Sequence, residues 1–300
     1  MYRSYPHDLR PSAVASWMAH AGTALELSIP IVLAFVTRSG PLLWVGLAMM
    51  MMLHLFITSN VPMGVPIEWN IMVVYGAWVL FYGHPAETAF QLSPRPLALF
   101  VLAMSYAVPV LGNIFPERIS FLTAMRYYAG NWACSVWLFK KGSEEKLKRL
   151  TTSAPWVYDQ LARFYDKRTA IGLVGRVMAF RMMHLHGRTL SFLVPKAVAH
   201  LEDYEWMDGE LIAGLALGWN FGDGHLHDER LLAAIQEQCG FDEGELRCIF
   251  VESQPLGKST LAWRVADAKS GARERGVAEV RELMSRQPWE LPHSAATHTS

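Results

Sequence analysis

"CSVWLFKKGSEEKLKRL", residues 134–150, is where the chain changes character. Its first half closes an apolar segment, 119–138. Its second half holds Lys140, Lys141, Lys146, Lys148 and Arg149, the densest basic cluster beside any apolar segment. Working outward, residues 1–139 carry only 11 charged residues: six Arg, five Asp or Glu, and no Lys. Residues 140–300 carry the other 43. Hydrophobic residues make up 52% of the 300, and the formal net charge is zero. A charge-poor half followed by a charge-rich half reads as a membrane part and a water-facing part. Nothing in this balance points to nucleic acid as a partner.

Upstream, a helix needs about 20 residues to cross a bilayer, and four or five segments offer that. They are 12–35, 42–59, 67–81, 97–111 and 119–138. The fifth is less apolar and contains Arg126, so it either spans or lies along the interface. Pro- and Gly-containing stretches connect them, and Trp and Tyr residues sit near their ends. The predicted fold is mainly α: a polytopic helical membrane domain of four or five spans over 1–139. A helical cytoplasmic or membrane-surface region follows over 140–240. A small α+β unit over 241–290 and a disordered tail over 291–300 complete the chain. The basic cluster places the C-terminal half in the cytoplasm by the positive-inside rule, and Arg3 and Arg10 put the N-terminus there too. An even number of spans satisfies both. Membrane lipids are therefore the first expected partner.

Three cysteines, Cys134, Cys239 and Cys248, are widely spaced and form no CxxC, so they read as small buried hydrophobes. In the water-facing half, residues 143–206 read as helices with recurrent Arg and Lys, suited to a solvated face or to anionic headgroups. "GELIAGLALGWNFGDG", 209–224, reads as a buried or membrane-dipping helix, being short for a span. "HDERLLAAIQEQCG" reads as a helix begun by Asp228 and stopped by Gly240. "LRCIFVESQPL" and "STLAWRVADA" are candidate strands, and "SGARERGVAEVRELMSRQPW" a charged helix.

Polar residues in apolar spans are costly and mark function. Glu26 lies deep in the first segment. Pro30, four residues on, cannot donate to its carbonyl, so one turn offers a carboxyl and a backbone oxygen. That suits a proton or cation site, or a hydrogen bond to a neighbouring helix. His54 stands in the second segment. Glu26 and His54 are the residues expected to line an intramembrane cofactor or substrate pocket. His20, six residues before Glu26, is about 120° away around the helix and need not share its face.

The triplet HLH occurs twice, as His184-Leu185-His186 and as His225-Leu226-His227 within "GDGHLHDERLL". In an extended segment residues i and i+2 point the same way and can meet one metal; in a helix they diverge by about 200°. If the triplets converge, His184, His186, His225 and His227 with Asp223, Asp228 or Glu229 form a nitrogen-and-oxygen shell suited to iron, manganese or zinc. His225, His227, Asp223 and Asp228 are then the candidate catalytic groups. The alternative is structural: loop ordering by the histidines, turn formation and capping by the aspartates.

The strings "SNVPMGVPIEWN", "FPERISFLTAMRYYAGNWACSVWLF", "FRMMHLHGR", "GWNFGDGHLHDERLL" and "FVESQPL" together resemble the uncharacterised bacterial integral-membrane family called domain of unknown function 3556, typical of actinobacteria such as mycobacteria. The resemblance runs from about residue 13 to 289. It implies a bacterial plasma-membrane protein. Members are usually about twice as long, so the chain looks like the C-terminal half of one. More faintly, "HAGTALELSIPIVLAF", with His20, Glu26 and Pro30, is similar to the first segment of membrane proteins related to vitamin K-dependent carboxylase. Two functions are carried forward. One is a membrane-embedded enzyme acting on a lipid or isoprenoid-like substrate, with the histidines at the cytoplasmic face. The other is a non-catalytic scaffold or transport accessory whose cytoplasmic half binds a membrane protein partner. No GxxxxGK[ST], GxGxxG or GxSxG motif supports nucleotide binding or serine-hydrolase chemistry.

Overall fold

A computed structural model describes residues 2–34, 40–60, 64–83, 94–116, 118–119, 133–151, 156–183, 185–217, 228–252 and 257–290. The chain forms two compact units, Met1–Leu102 and Ala103–Ser300.

In the first unit a short antiparallel hairpin, β1 (Tyr2–Ser4) and β2 (Asp8–Pro11), precedes helix α1 (Ala13–Ala34). Ser12 begins α1 by accepting the Ala15 N–H on its hydroxyl at 3.1 Å. Helix α2 (Pro41–Asn60) opens with proline, whose missing N–H costs nothing in a first turn. Helix α3 (Gly64–Ala77) runs into a π-helical turn, Trp78–Tyr82. Ile29 and Leu33 of α1 pack on Leu43, Leu47 and Met50 of α2. The approach is close at Gly46, where a Cβ would lie 2.6 Å from Leu33 Cδ2. Small residues let apolar helices pack this way without a hydrophobic driving force. Trp44, Trp78 and Tyr82 pack edge-on or tilted at centroid distances of 5.6–5.8 Å. Helix α4 (Arg95–Ile114) straddles the division between the units.

The second unit is built on a five-stranded antiparallel sheet in the order β4-β3-β5-β6-β7. The strands are β3 (Cys134–Lys140), β4 (Tyr204–Asp208), β5 (Leu246–Val251), β6 (Thr260–Asp267) and β7 (Gly271–Glu279). Between β3 and β4 the described residues form a 3-10 turn (Ser143–Arg149) and helices α5 (Val157–Leu161), α6 (Lys167–Met183) and α7 (Leu185–Ala197). Helix α8 (Gly209–Leu217) follows β4, α9 (Glu229–Cys239) precedes β5, and α10 (Val280–Ser285) follows β7.

Alternation along β3 sends its side chains to two separate cores. Trp137 and Phe139 join Met207, Cys248 and Phe250 beneath Ile212 of α8 and Leu231, Leu232 and Ile235 of α9. Val136 and Leu138 join Ile249, Trp263 and Val265 beneath Phe192 and Leu193 of α7 and Leu283 of α10. The sheet is thus covered on both faces.

This architecture corrects the mainly α fold with four or five spans. Two described helices are long and apolar enough to cross a bilayer, Pro41–Ser59 and Arg95–Ile114. Helix α1 has the length, but His20, Thr23, Glu26 and Ser28 dilute its hydropathy. Asn70–Tyr82 is a shorter apolar stretch. The end of the expected fifth segment is strand β3, buried along six of its seven residues. A strand covered on both faces is a continuous apolar run with no alternation, so it resembles a piece of membrane helix. The charged helix expected over residues 270–289 is strand β7 over its first half and a helix only over Val280–Ser285. Gly271, at φ 83°, takes the left-handed conformation that turns the chain back from β6. The Arg and Glu residues that suggested a helix suit an edge strand, where charge discourages pairing with other chains. The residues read as a disordered tail, 291–300, lie outside the described residues.

Candidate functional site

The first unit brings three helices together around a chain of polar side chains. His54 Nδ1 of α2 lies 2.8 Å from Asn70 Oδ1 of α3, and Asn70 Nδ2 donates to Thr58 Oγ1 of α2 at 2.8 Å. Glu26 of α1 is within electrostatic reach of His54. Asn70 is buried, His54 half-buried, and Glu26 exposed on its helix. A carboxamide oxygen only accepts, so Nδ1 of His54 carries the proton. In the neutral ring that leaves Nε2 as the basic nitrogen, able to take a proton from a hydroxyl or acid. Glu26 and His54, singled out from sequence, thus share one neighbourhood. Sequence reasoning missed Asn70 and Thr58. The available signal was a lone Asn beginning the apolar run "NIMVVYGAWVLF".

The histidine triplets are placed only in part. His184, His225, His227 and Asp223 lie outside the described residues. His186 is the second residue of α7, four positions before Leu190 on the helix. Helix α7, which begins within the first triplet, and α9, which follows the second, pack on opposite faces of the sheet. Both begin at the same end of it. Arg188, in the first turn of α7, donates to the carbonyls of Leu283 (3.1 Å) and Arg286 (3.2 Å), just beyond the end of β7. Glu229, the first residue of α9, is bonded to Arg264 of β6, which also holds Glu252 just past the end of β5. Burial works against the charge of Arg264, but its two carboxylate partners outweigh burial and push its pKa up.

Asp228 accepts the backbone N–H of Arg230 at 2.8 Å and pairs with its guanidinium at 2.8 Å. It is the N-cap of α9, and Gly240, at φ 65°, ends that helix. A capping Asp of this kind gives a definite expectation. Asp228→Ala should lower stability by about 1 kcal/mol in equilibrium unfolding of the detergent-purified protein. A loss well above that would mean the carboxylate does more than cap.

Among the described residues no three His, Cys, Asp or Glu side chains are grouped to hold a metal ion. All three cysteines are buried, as their spacing suggested. Burial, with Glu229 and Asp267 nearby, pushes the Cys248 thiol well above its ordinary range, so it is no nucleophile at neutral pH.

No curated protein and no solved structure matches the chain. A family model described as "Transmembrane protein of unknown function (DUF3556)" matches residues 1–299. With two helices of spanning length and an apolar helical unit that carries a polar chain, the sequence is that of a membrane protein, and it belongs to this transmembrane family of unknown function.

Proposed function

We propose that the chain is a multi-pass membrane enzyme acting on a lipid or isoprenoid-like substrate of a bacterial plasma membrane. The observation that carries this reading is the chain Glu26, His54, Asn70 and Thr58 across α1–α3. Polar groups are costly among apolar helices and are kept where they meet a polar ligand or move a proton. A hydroxyl, carbonyl or carboxyl on a bilayer-soluble molecule is the partner they suit. Nε2 of His54 accepts its proton and Glu26 polarises the same group. In this reading His184, His186, His225 and His227, with Asp223 and Asp228, would supply the second part of the site, at the cytoplasmic face. Their donor set suits iron, manganese or zinc. The candidate spans among the described residues number two, and an even number suits both termini in the cytoplasm.

The second reading is a non-catalytic scaffold or transport accessory. One observation favours it: the carboxylate of Asp228 is already engaged in capping α9. Two measurements on detergent-purified protein separate the readings. Organic extraction and mass spectrometry should find one lipid class enriched with the wild type and lost in His54→Ala. Elemental analysis should find near-stoichiometric metal, lost in the His225→Ala/His227→Ala variant. Bulk-lipid composition in both wild type and variant, with only trace metal in both, supports the scaffold and rejects the enzyme.

A further inference from the structure

The second unit contains a cavity of about 480 Å³ on the α7 face of the sheet. Helix α7 lies across β5 and β6, and its flank stands over the neighbouring β3–β4 side. The floor is Val136 and Leu138 of β3 with Trp206 of β4, which pairs with Leu138. The wall is Leu190, Val194 and Pro195 of α7, continued by the chain that leaves the helix. Among the described residues no charged side chain lines it. Its one side-chain hydroxyl, on Ser191, is turned onto its own helix, donating to the Arg188 carbonyl at 2.8 Å.

We infer that this cavity holds a hydrocarbon chain: the acyl chain of a fatty acid or of a membrane lipid. The volume lies within the range of small-ligand pockets, about 300–1,000 Å³. The lining decides the chemistry. A peptide laid against this wall would bury a row of backbone N–H and C=O groups against only two polar side chains, Ser191 and Trp206, and most would go unpaired at a cost comparable to lost hydrogen bonds. Ordered waters need two to four polar partners each, and Ser191 and Trp206 are too few to hold the several that this volume would take. An alkyl chain needs none and gains roughly 0.8 kcal/mol for each buried CH₂. Such chains are the hydrocarbon at hand for a member of a transmembrane family. The cavity lies wholly within the second unit, and its occupancy does not depend on the helix site of the first.

The test is photolabelling of the full chain in detergent with palmitic acid carrying a mid-chain diazirine, and separately with a phosphatidylglycerol carrying the same acyl chain. Adducts are mapped by mass spectrometry. The expected result is label on peptides containing Leu190, Val194 or Trp206, reduced about tenfold in Val194→Trp, which fills the space. Ser191→Leu fills it less and should show the same direction, which keeps the test sound if Val194→Trp fails to fold. Label from both probes identifies a membrane-lipid chain, and label from the acid alone identifies a free fatty acid. Either supports the inference. Label confined to other peptides, or unchanged by a folded filling variant, overturns it, as does a cavity covered by protein and therefore unlabelled.

Discussion

Trp137→Ala is expected to lower stability by about 3–5 kcal/mol, among the largest losses available to a single substitution here. Trp137 is fully buried in the central strand β3. It is opposite Met207 on one side and Cys248 on the other, and its indole donates to Ser135 Oγ at 2.8 Å. Truncation removes the ring's burial and leaves a cavity beneath α8 and α9 that a paired strand cannot collapse to fill. The measurement is equilibrium unfolding in detergent followed by near-ultraviolet circular dichroism. Trp17→Ala is the control: that ring is 73% exposed on α1, and its loss should change stability by no more than about 0.5 kcal/mol. Equal, small effects at both positions would mean that residues 134–140 are not a core strand.

The second large effect is expected at Asp267, which is fully buried at the end of β6. Its carboxylate accepts backbone N–H groups of Gly244 (2.8 Å), Lys269 (2.9 Å) and Ser270 (3.1 Å). It also lies 2.7 Å from Arg247 Nε. That contact is ionic; the N–H is not aimed well enough for a good hydrogen bond. Burial alone would raise the pKa of this carboxyl, but the three N–H donors and then Arg247 outweigh it, so the folded value lies below the ordinary one. Asp267→Asn keeps the shape, leaves Arg247 without its counter-charge and turns an NH₂ toward N–H donors. The expected cost is about 3–5 kcal/mol. The pH dependence has a definite sign. A depressed folded pKa means the stabilisation is fully present above the unfolded value, about 3.9, and is lost as pH falls through the folded one. Wild type and variant should therefore differ most at neutral pH and converge under acid. A gap that widens under acid would contradict the geometry.

Particular residues show how much of this was legible. Asp228 and Gly240 bound α9 as their chemistry dictates, one accepting a first-turn N–H and the other taking positive φ. Strands β5 and β6 lie inside the two stretches rich in β-branched and aromatic residues. Strand β3 was hidden, because burial on both faces erases the period-two signal that identifies a strand. Strand β7 was hidden by its edge position, where charge replaces alternation. The basic run after Leu138 reads as a membrane flank. Yet Lys146 is bonded to Glu245 and paired with Asp242, and Arg149 donates to the Cys239 carbonyl, partners about a hundred residues away that no local pattern shows. In the first unit Glu26 and His54 stood out as polar residues in apolar segments. What joins His54 to the next helix is Asn70, and pairing across helices is a tertiary fact.

Where the sequence suggested the end of a fifth span, this membrane protein has the central strand of a sheet unit, and we propose that this unit faces the cytoplasm. A single cysteine at Lys141, exposed in the turn after β3, tests it most directly. Cys134, Cys239 and Cys248 are buried, so background labelling is low. The full chain carrying Lys141→Cys is treated with a membrane-impermeant maleimide in intact and in permeabilised cells. The account predicts labelling only after permeabilisation. Labelling in intact cells would contradict the orientation, and protection in both would place the segment inside the membrane and contradict the sheet.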